Sequence, residues 1–314
     1  MTTPLVLDAA AVARLLPQVD VLQEMRQLFA ELGRGQAVQP PQTLTLFPGE
    51  RGDFITYLGA AADTGTFGAK LSPYLIRQGG PVITAWTVLM SMETGQPLML
   101  CDAGQLTTER TAATTALGVD LLAAERAERI AIIGTGQVAQ AHWRHVQSLR
   151  PWQEVRVYSP NLASDTAKRA SWRNLCPGTV CAASAEDAAR EADVVMLCTS
   201  SGTPVVDAAV LGAEALVTSI STNVALAHEV APEFLTSAQV YCDHRETTPA
   251  TAGEMVLAAR DHGWSAEQVR GDLAELSVGA CPFPEPGRPV FFRSVGLGLE
   301  DMAIANAIYR AACA

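Results

Sequence analysis

No uninterrupted apolar run reaches bilayer length, although 48 % of the residues are hydrophobic, so no membrane-spanning helix is expected. The opening segment, Met1-Thr-Thr-Pro-Leu-Val-Leu-Asp8, has neither the basic nor the apolar stretch of a signal peptide, which suggests a cytoplasmic protein without membrane association. CxxC pairs and Cys/His clusters are missing. The seven cysteines, an odd and scattered number, read as reduced residues, several of them buried. That excludes a disulfide framework or a zinc site, and no metal is expected. Basic excess is missing too, and a formal net charge of −11 argues against nucleic acid as a partner. There are no internal repeats and no low-complexity segments. What is present is 314 residues, enough for two domains and a large buried core.

The most informative stretch runs from Arg129 to Trp143. Ile130–Ile133 is a β-branched run that reads as a buried strand. It breaks into Gly134-Thr135-Gly136-Gln137-Val138-Ala139 and then into a helical pattern with Val138, Ala141 and Val146 on one side. This is the form of a dinucleotide-binding turn, with the first glycine for the tight bend and the second for close approach of a pyrophosphate. The exposed amides at the helix start would meet the phosphate charge. The next strand, Glu154–Tyr158, ends in Ser159-Pro160-Asn161 with no carboxylate to hold ribose hydroxyls. That neutral tip, with Lys168 and Arg169 nearby, suits a 2′-phosphate, so NADP(H) is the preferred cofactor and NAD(H) an alternative.

Before this unit come two helical patterns, the second with Val21, Leu22, Met25, Leu28, Phe29 and Leu32 at helical spacing. Strand-like segments follow at Thr43–Phe47, Phe54–Leu58, Thr66–Leu71, Thr84–Met90 and Pro97–Leu100, with a hairpin turn at Glu93-Thr-Gly95. Strands without intervening helices imply a mainly antiparallel sheet separate from the nucleotide unit. A helix from about Leu106 to Leu122 leads into Ile130, and strands and helices then alternate through Asp193–Cys198, Leu216–Ser221 and Val240–Asp243. The chain closes with Val290–Arg293, a glycine turn and a helix at Glu300–Ala312. The expected class is α/β, a Rossmann-type dinucleotide-binding domain (119–292) plus an α+β domain with a mainly antiparallel sheet (1–118 with 293–314). Ligands in open α/β sheets sit beyond the carboxyl ends of the strands, which marks Thr199, Ser200, Thr222 and Asn223.

Lys70 alternates with Phe67, Ala69 and Leu71 and so shares a face with Gly68, which leaves space beside it. It reads either as a solvated strand lysine or as a ligand-facing one. Arg110 lies in the first turns of a helix, where a cation opposes the dipole, a placement that anchoring an anionic substrate would require. Glu300-Asp301 at the start of the last helix reads as simple charge complementarity. His142 and His145 read as structural or exposed, and His228 has no evident partner.

Several stretches together resemble the ornithine cyclodeaminase/μ-crystallin family. They are Phe67–Lys70, Asp102–Thr107 through Arg110–Thr114, Ile132–Gly136, and Val290-Phe-Phe-Arg-Ser294-Val-Gly296-Leu-Gly-Leu-Glu300-Asp301, in family order over most of the chain. The resemblance implies a homodimer built through the N-terminal domain and an active site between domains. There Lys70 and Arg110 would hold a substrate carboxylate beside the nicotinamide. Gln42, Ser294 and Gly296 would line the substrate, and Thr111 would join the glycine loop, Ser159, Pro160, Asn161, Thr199, Ser200 and Asn223 around the cofactor. Two positions depart from the cyclodeaminases: Gln42 replaces an arginine, and Asn223 stands where they carry the catalytic aspartate. An amide cannot act as a general base. The pattern instead resembles the family's imino-acid reductases, with Asn223 orienting the imine. The implied activity is NAD(P)H-dependent reduction of cyclic ketimino acids, Δ1-pyrroline-2-carboxylate to L-proline and Δ1-piperideine-2-carboxylate to L-pipecolate. Ornithine cyclodeamination, an amino-acid or opine dehydrogenase, and a crystallin-like NADPH-binding protein are the alternatives.

Overall fold

The computed structural model describes residues 3–222 and 224–314. The chain forms two compact units, Met1–Thr111 with Gly296–Ala314, and Ala112–Val295. Their boundaries lie at 111/112 and 295/296, where the sequence suggests 118/119 and 292/293.

In the first unit, eight strands make one sheet: β1 (Leu5–Leu7), β2 (Ala37–Val38), β3 (Thr43–Leu46), β4 (Gly52–Ala61), β5 (Thr66–Leu75), β6 (Val82–Ile83), β7 (Trp86–Ser91) and β8 (Pro97–Asp102). Their order is β1-β8-β7-β5-β4-β2, with β3 on β4 and β6 on β5. All pairings are antiparallel except β1 with β8. The turn between β7 and β8 forms as its residues dictate, with Gly95 at φ 66° and the Ser91 hydroxyl accepting from the amides of Glu93 and Thr94. β1 escapes sequence reading because three residues are too few to display alternation.

One face of this sheet carries the C-terminal helix, Gly298–Cys313. The contact is backbone-close: a Cβ on Gly298 would lie 2.2 Å from the Leu58 carbonyl oxygen. The space expected beside Gly68 is filled, since a Cβ there would lie 2.8 Å from Met302 Sδ and 2.1 Å from the Val88 carbonyl oxygen. The other face is apolar and open, with Leu58, Phe67, Leu71, Trp86 and Leu100 all exposed. Alternation along β5 therefore has the opposite sense to a simple reading. The hydrophobic positions face outward and Lys70 faces the core, 1 % exposed, so it is not a solvated strand lysine.

The second unit holds an all-parallel sheet of β9 (Arg129–Ile133), β10 (Glu154–Tyr158), β11 (Val180–Cys181), β12 (Val194–Leu197), β13 (Leu216–Ser219), β14 (Gln239–Cys242), β15 (Val269–Asp272) and β16 (Val290–Arg293). The order is β11-β10-β9-β12-β13-β16-β14-β15. Every residue of β12, β13, β14 and β16 is buried, as a sheet covered on both faces requires. The order reverses between β9 and β12, the point where doubly wound sheets open a crevice at their carboxyl ends. Among the described residues no helix is long and apolar enough to cross a membrane, and no group of His, Cys, Asp or Glu could hold a metal ion.

Candidate functional site

In the second unit, β9 ends at Ile133 and Gly134 adopts φ 109°, which a side chain would strain. A Cβ on Gly134 would lie 2.2 Å from the Cys198 carbonyl oxygen, so the glycine turn rests directly on the chain leaving β12. Gly136 is the N-cap of the helix Gln137–Val146, and a Cβ there would meet nothing within 4 Å. Open space at the N-terminus of a ten-residue helix fits a dinucleotide pyrophosphate. The turn is held from behind by the buried Trp172, whose indole N–H donates to the Thr135 carbonyl at 3.1 Å. The hydroxyls of Thr135 and Ser159 are 2.7 Å apart and tie the turn to the tip of β10. Beyond that tip, Arg169 is committed to the carbonyls of Leu162 and Ala163, and Lys168 Nζ lies 3.7 Å from Asp165. The two cations that the sequence places near the tip are thus already engaged.

The first unit contains a different constellation. Tyr57 on β4 and Thr87 on β7 are the register partners of Lys70 on β5. The Lys70 ammonium lies 4.0 Å from the centre of the Tyr57 ring, 3.4 Å from Thr107 Oγ1 and 2.8 Å from Asp301 Oδ2. Arg110 donates through Nε to Asp301 Oδ1 at 3.1 Å and through Nη1 to Glu300 Oε2 at 2.8 Å. Glu300-Asp301 is therefore more than a dipole complement, being the counter-charge to both cations. All four side chains are buried. Burial drives the Lys70 ammonium down to about 8, against the pull of Asp301, with Arg110 adding to the depression. Burial also works against the Arg110 guanidinium, but Asp301 and Glu300 outweigh it and hold it above its ordinary range. Gly296 closes over this guanidinium at φ 81°, where a Cβ would lie 2.2 Å from Nη1, and its carbonyl accepts from Gln42 Nε2 at 2.6 Å.

The sequence-derived site residues thus fall into sets. Lys70, Arg110, Gln42 and Gly296 are drawn together in the first unit, while Gly134, Thr135, Gly136, Gln137, Val138 and Ser159 are drawn together in the second. Pro160, Asn161 and Ser200 are exposed beyond strand ends, and Thr111 is half-buried. Ser294, expected to line the substrate, is 2 % exposed, and its hydroxyl donates to Asp243 Oδ2 at 3.0 Å. Asn223 lies outside the described residues. His228 has a partner after all, since its Nδ1 lies 2.8 Å from the Leu226 carbonyl oxygen. Sequence reasoning missed Asp301, Glu300 and Tyr57. The signal was there: both acids share the last helix with Leu299, Met302, Ile304 and Ala305, and acids embedded in an apolar helix need buried counter-ions.

A nicotinamide-type turn on a doubly wound sheet, accompanied by a buried Lys/Arg/carboxylate cluster, defines a dehydrogenase class of protein. The sequence model of the ornithine cyclodeaminase/mu-crystallin family matches residues 2–314, and the chain belongs to that family. It is an NAD(P)H-dependent oxidoreductase of the CH–NH/C=N type. Among its relatives is an NAD(P)H-dependent anabolic L-arginine dehydrogenase of Pseudomonas aeruginosa, 57 % identical and covering 98 % of this chain and 97 % of that one. A Δ1-pyrroline-2-carboxylate/Δ1-piperideine-2-carboxylate reductase of Azospirillum brasilense is 28 % identical over 95 % of this chain and 93 % of its own. The crystal structure of a probable ornithine cyclodeaminase from Bordetella pertussis superposes with a TM-score of 0.88 at 29 % identity, covering 99 % of this chain and 97 % of that one.

Proposed function

We propose that this protein reduces the C=N bond of a 2-imino acid with NADPH, and that its product is L-arginine or a close cationic amino acid. The reaction type rests on one observation, the buried cluster in which a lysine held at about 8 touches Asp301 beside an arginine fork. The product is supported by the 57 % identical relative, named for anabolic L-arginine dehydrogenation. A bound reduced nicotinamide would supply hydride. A 2-oxo acid and ammonia lose water to give the imine, and the imine nitrogen must carry a proton when Cα accepts hydride. Lys70 Nζ holds such a proton near neutral pH, and Asp301 orients it. Arg110 carries the guanidinium suited to a substrate carboxylate; Glu300 and Asp301 hold it here, and Gly296, lacking a side chain, packs directly on it. Asn223 would orient the imine, and Gln42 would hold the Gly296 turn in place.

For the cofactor, a β10 tip without a carboxylate and with Ser159 on Thr135 supports NADP(H) over NAD(H). A dissociation constant clearly lower for NADH than for NADPH would refute this preference. The open apolar face of the first unit's sheet supports a homodimer, since a monomer rarely leaves so much contiguous apolar surface in water. A second substrate reading, reduction of Δ1-pyrroline-2-carboxylate and Δ1-piperideine-2-carboxylate, is favoured by the 28 % identical reductase. NADPH absorbance followed against 5-guanidino-2-oxopentanoate with ammonia, and against the two cyclic imines, separates them. The expected outcome is highest kcat/KM with the guanidino oxo acid. Turnover confined to the cyclic imines would replace the first reading by the second, and no oxidation with any of them would refute both.

A further inference from the structure

Glu229 is completely buried, and its hydrogen bonds reach the carboxyl ends of β12 and β13, next to the β9/β12 switch point. Its Oε1 accepts from the Thr199 amide at 2.9 Å and the Thr199 hydroxyl at 2.6 Å. Its Oε2 accepts from the Ser219 hydroxyl at 3.0 Å, the Ile220 amide at 2.9 Å and the Ser221 amide at 3.0 Å. One carboxylate therefore fixes both turns, 199–201 after β12 and 220–222 after β13. The turns are also joined directly, because Ser221 Oγ donates to the Ser201 carbonyl at 2.6 Å. The first of them begins at Cys198, the residue on which Gly134 rests.

The segment that delivers Glu229 is itself constrained. Leu226 sits at φ 56°, a left-handed conformation that a leucine adopts only under constraint. Gly253 lies under it so closely that a Cβ would come within 2.3 Å of the backbone of Leu226 and Ala227. Beside it, Glu254 pairs with Arg293 at 3.2 Å, and its Oε1 lies 3.1 Å from Ser219 Oγ, so it shares that hydroxyl's one proton with Glu229. Arg293 in turn donates to the Ser221 carbonyl at 2.5 Å. Five donors converge on one carboxylate, an arrangement for holding backbone in place in a buried setting.

We infer that Glu229 is a positioning residue for the nucleotide: it sets the spacing of the two turns that flank the nicotinamide half of the cofactor. The inference rests on the dinucleotide reading of the glycine turn. Glu229 contacts no reacting atom and moves no proton. Its carboxylate presents only acceptors, so all five donors are satisfied at once. Glutamine has the same size but one amide nitrogen. With its oxygen facing Ser219, Ile220 and Ser221, its NH2 opposes the Thr199 amide, and a buried donor is left without an acceptor.

The test uses the full-length protein and measures NADPH affinity by quenching of intrinsic fluorescence, together with single-turnover hydride transfer and Tm. Glu229→Gln is expected to raise the NADPH dissociation constant about tenfold and to slow hydride transfer. Thr199→Val, which removes one donor to Glu229 and the acceptor of the Ser201 amide, is expected to do the same to a smaller degree. The double variant should fall short of the sum, because both substitutions disturb one contact set. A purely structural role predicts a lower Tm with unchanged NADPH affinity in the folded protein. That result, in Thr199→Val or in Glu229→Gln, overturns the inference. Should the unmodified protein bind neither NADPH nor NADH, the dinucleotide reading falls and this inference with it.

Discussion

Lys70 owes its surroundings to the face of β5 that it occupies. Alternation along its strand divides β5 into two faces but cannot tell which faces inward, because the apolar face here is the open one. Its counter-ions are also unreadable locally, since Asp301 lies 191 positions from Arg110 and further still from Lys70. If Lys70 holds the transferred proton, reduction requires its ammonium form. The logarithm of kcat/KM for reduction should then be level below about 8 and fall with unit slope above it. Lys70→Arg, which does not titrate in that range, should be slow and flat, and a falling profile retained in that variant would remove Lys70 from the step. For stability the sign is reversed. Between about 8 and 10.5 the unfolded lysine holds more protons than the folded one, so this residue makes the fold more stable as pH rises through that window. Arg110→Lys keeps one charge for Glu300 and Asp301 but loses the fork. It should raise KM for the substrate tenfold or more with a smaller change in kcat, and an unchanged KM would detach Arg110 from the substrate carboxylate.

Single elements were unequally legible. The turn from β9 into its helix could be read from a dozen consecutive residues, since each glycine answers a local demand, a positive φ at Gly134 and open space at Gly136. The last helix was located correctly, but its load was not. Its acids read as dipole complements because the apolar residues around them show a need for buried counter-ions without showing that those lie on β5 and at Arg110. The helix start is seated by Gly298, with no room for a methyl group beside the Leu58 carbonyl. Gly298→Ala should push that end off β4 and weaken the grip of Asp301 on Lys70. A lower Tm is expected, by about 1–3 kcal/mol of stability, with a shift of the Lys70-dependent break in the pH profile. An unshifted break in a folded variant would mean that helix seating does not tune the lysine.

For the whole molecule, composition and strand order were enough to give the class, one antiparallel and one doubly wound parallel sheet. Which amino acid the enzyme makes was not legible, because shared motifs mark the carboxylate and nucleotide ends of the chemistry rather than the substrate side chain. The exposed stripe of Leu58, Phe67, Leu71, Trp86 and Leu100 leads to an assembly prediction. Light scattering should report a dimer, and Leu71→Lys combined with Leu100→Lys should yield a monomer. A monomeric parent protein would leave that stripe unexplained.

The first unit is stitched from both ends of the chain, while the second is a continuous insert. During synthesis, Lys70 and Arg110 leave the ribosome long before Glu300 and Asp301 exist. Until the final helix arrives, the two cations have no acid to meet and their pocket cannot close dry. The intervening Rossmann unit is free to fold first. A nascent or prematurely stopped polypeptide would then carry a finished nucleotide module beside an unfinished partner, so proteases and chaperones should distinguish incomplete copies by the state of that N-terminal sheet.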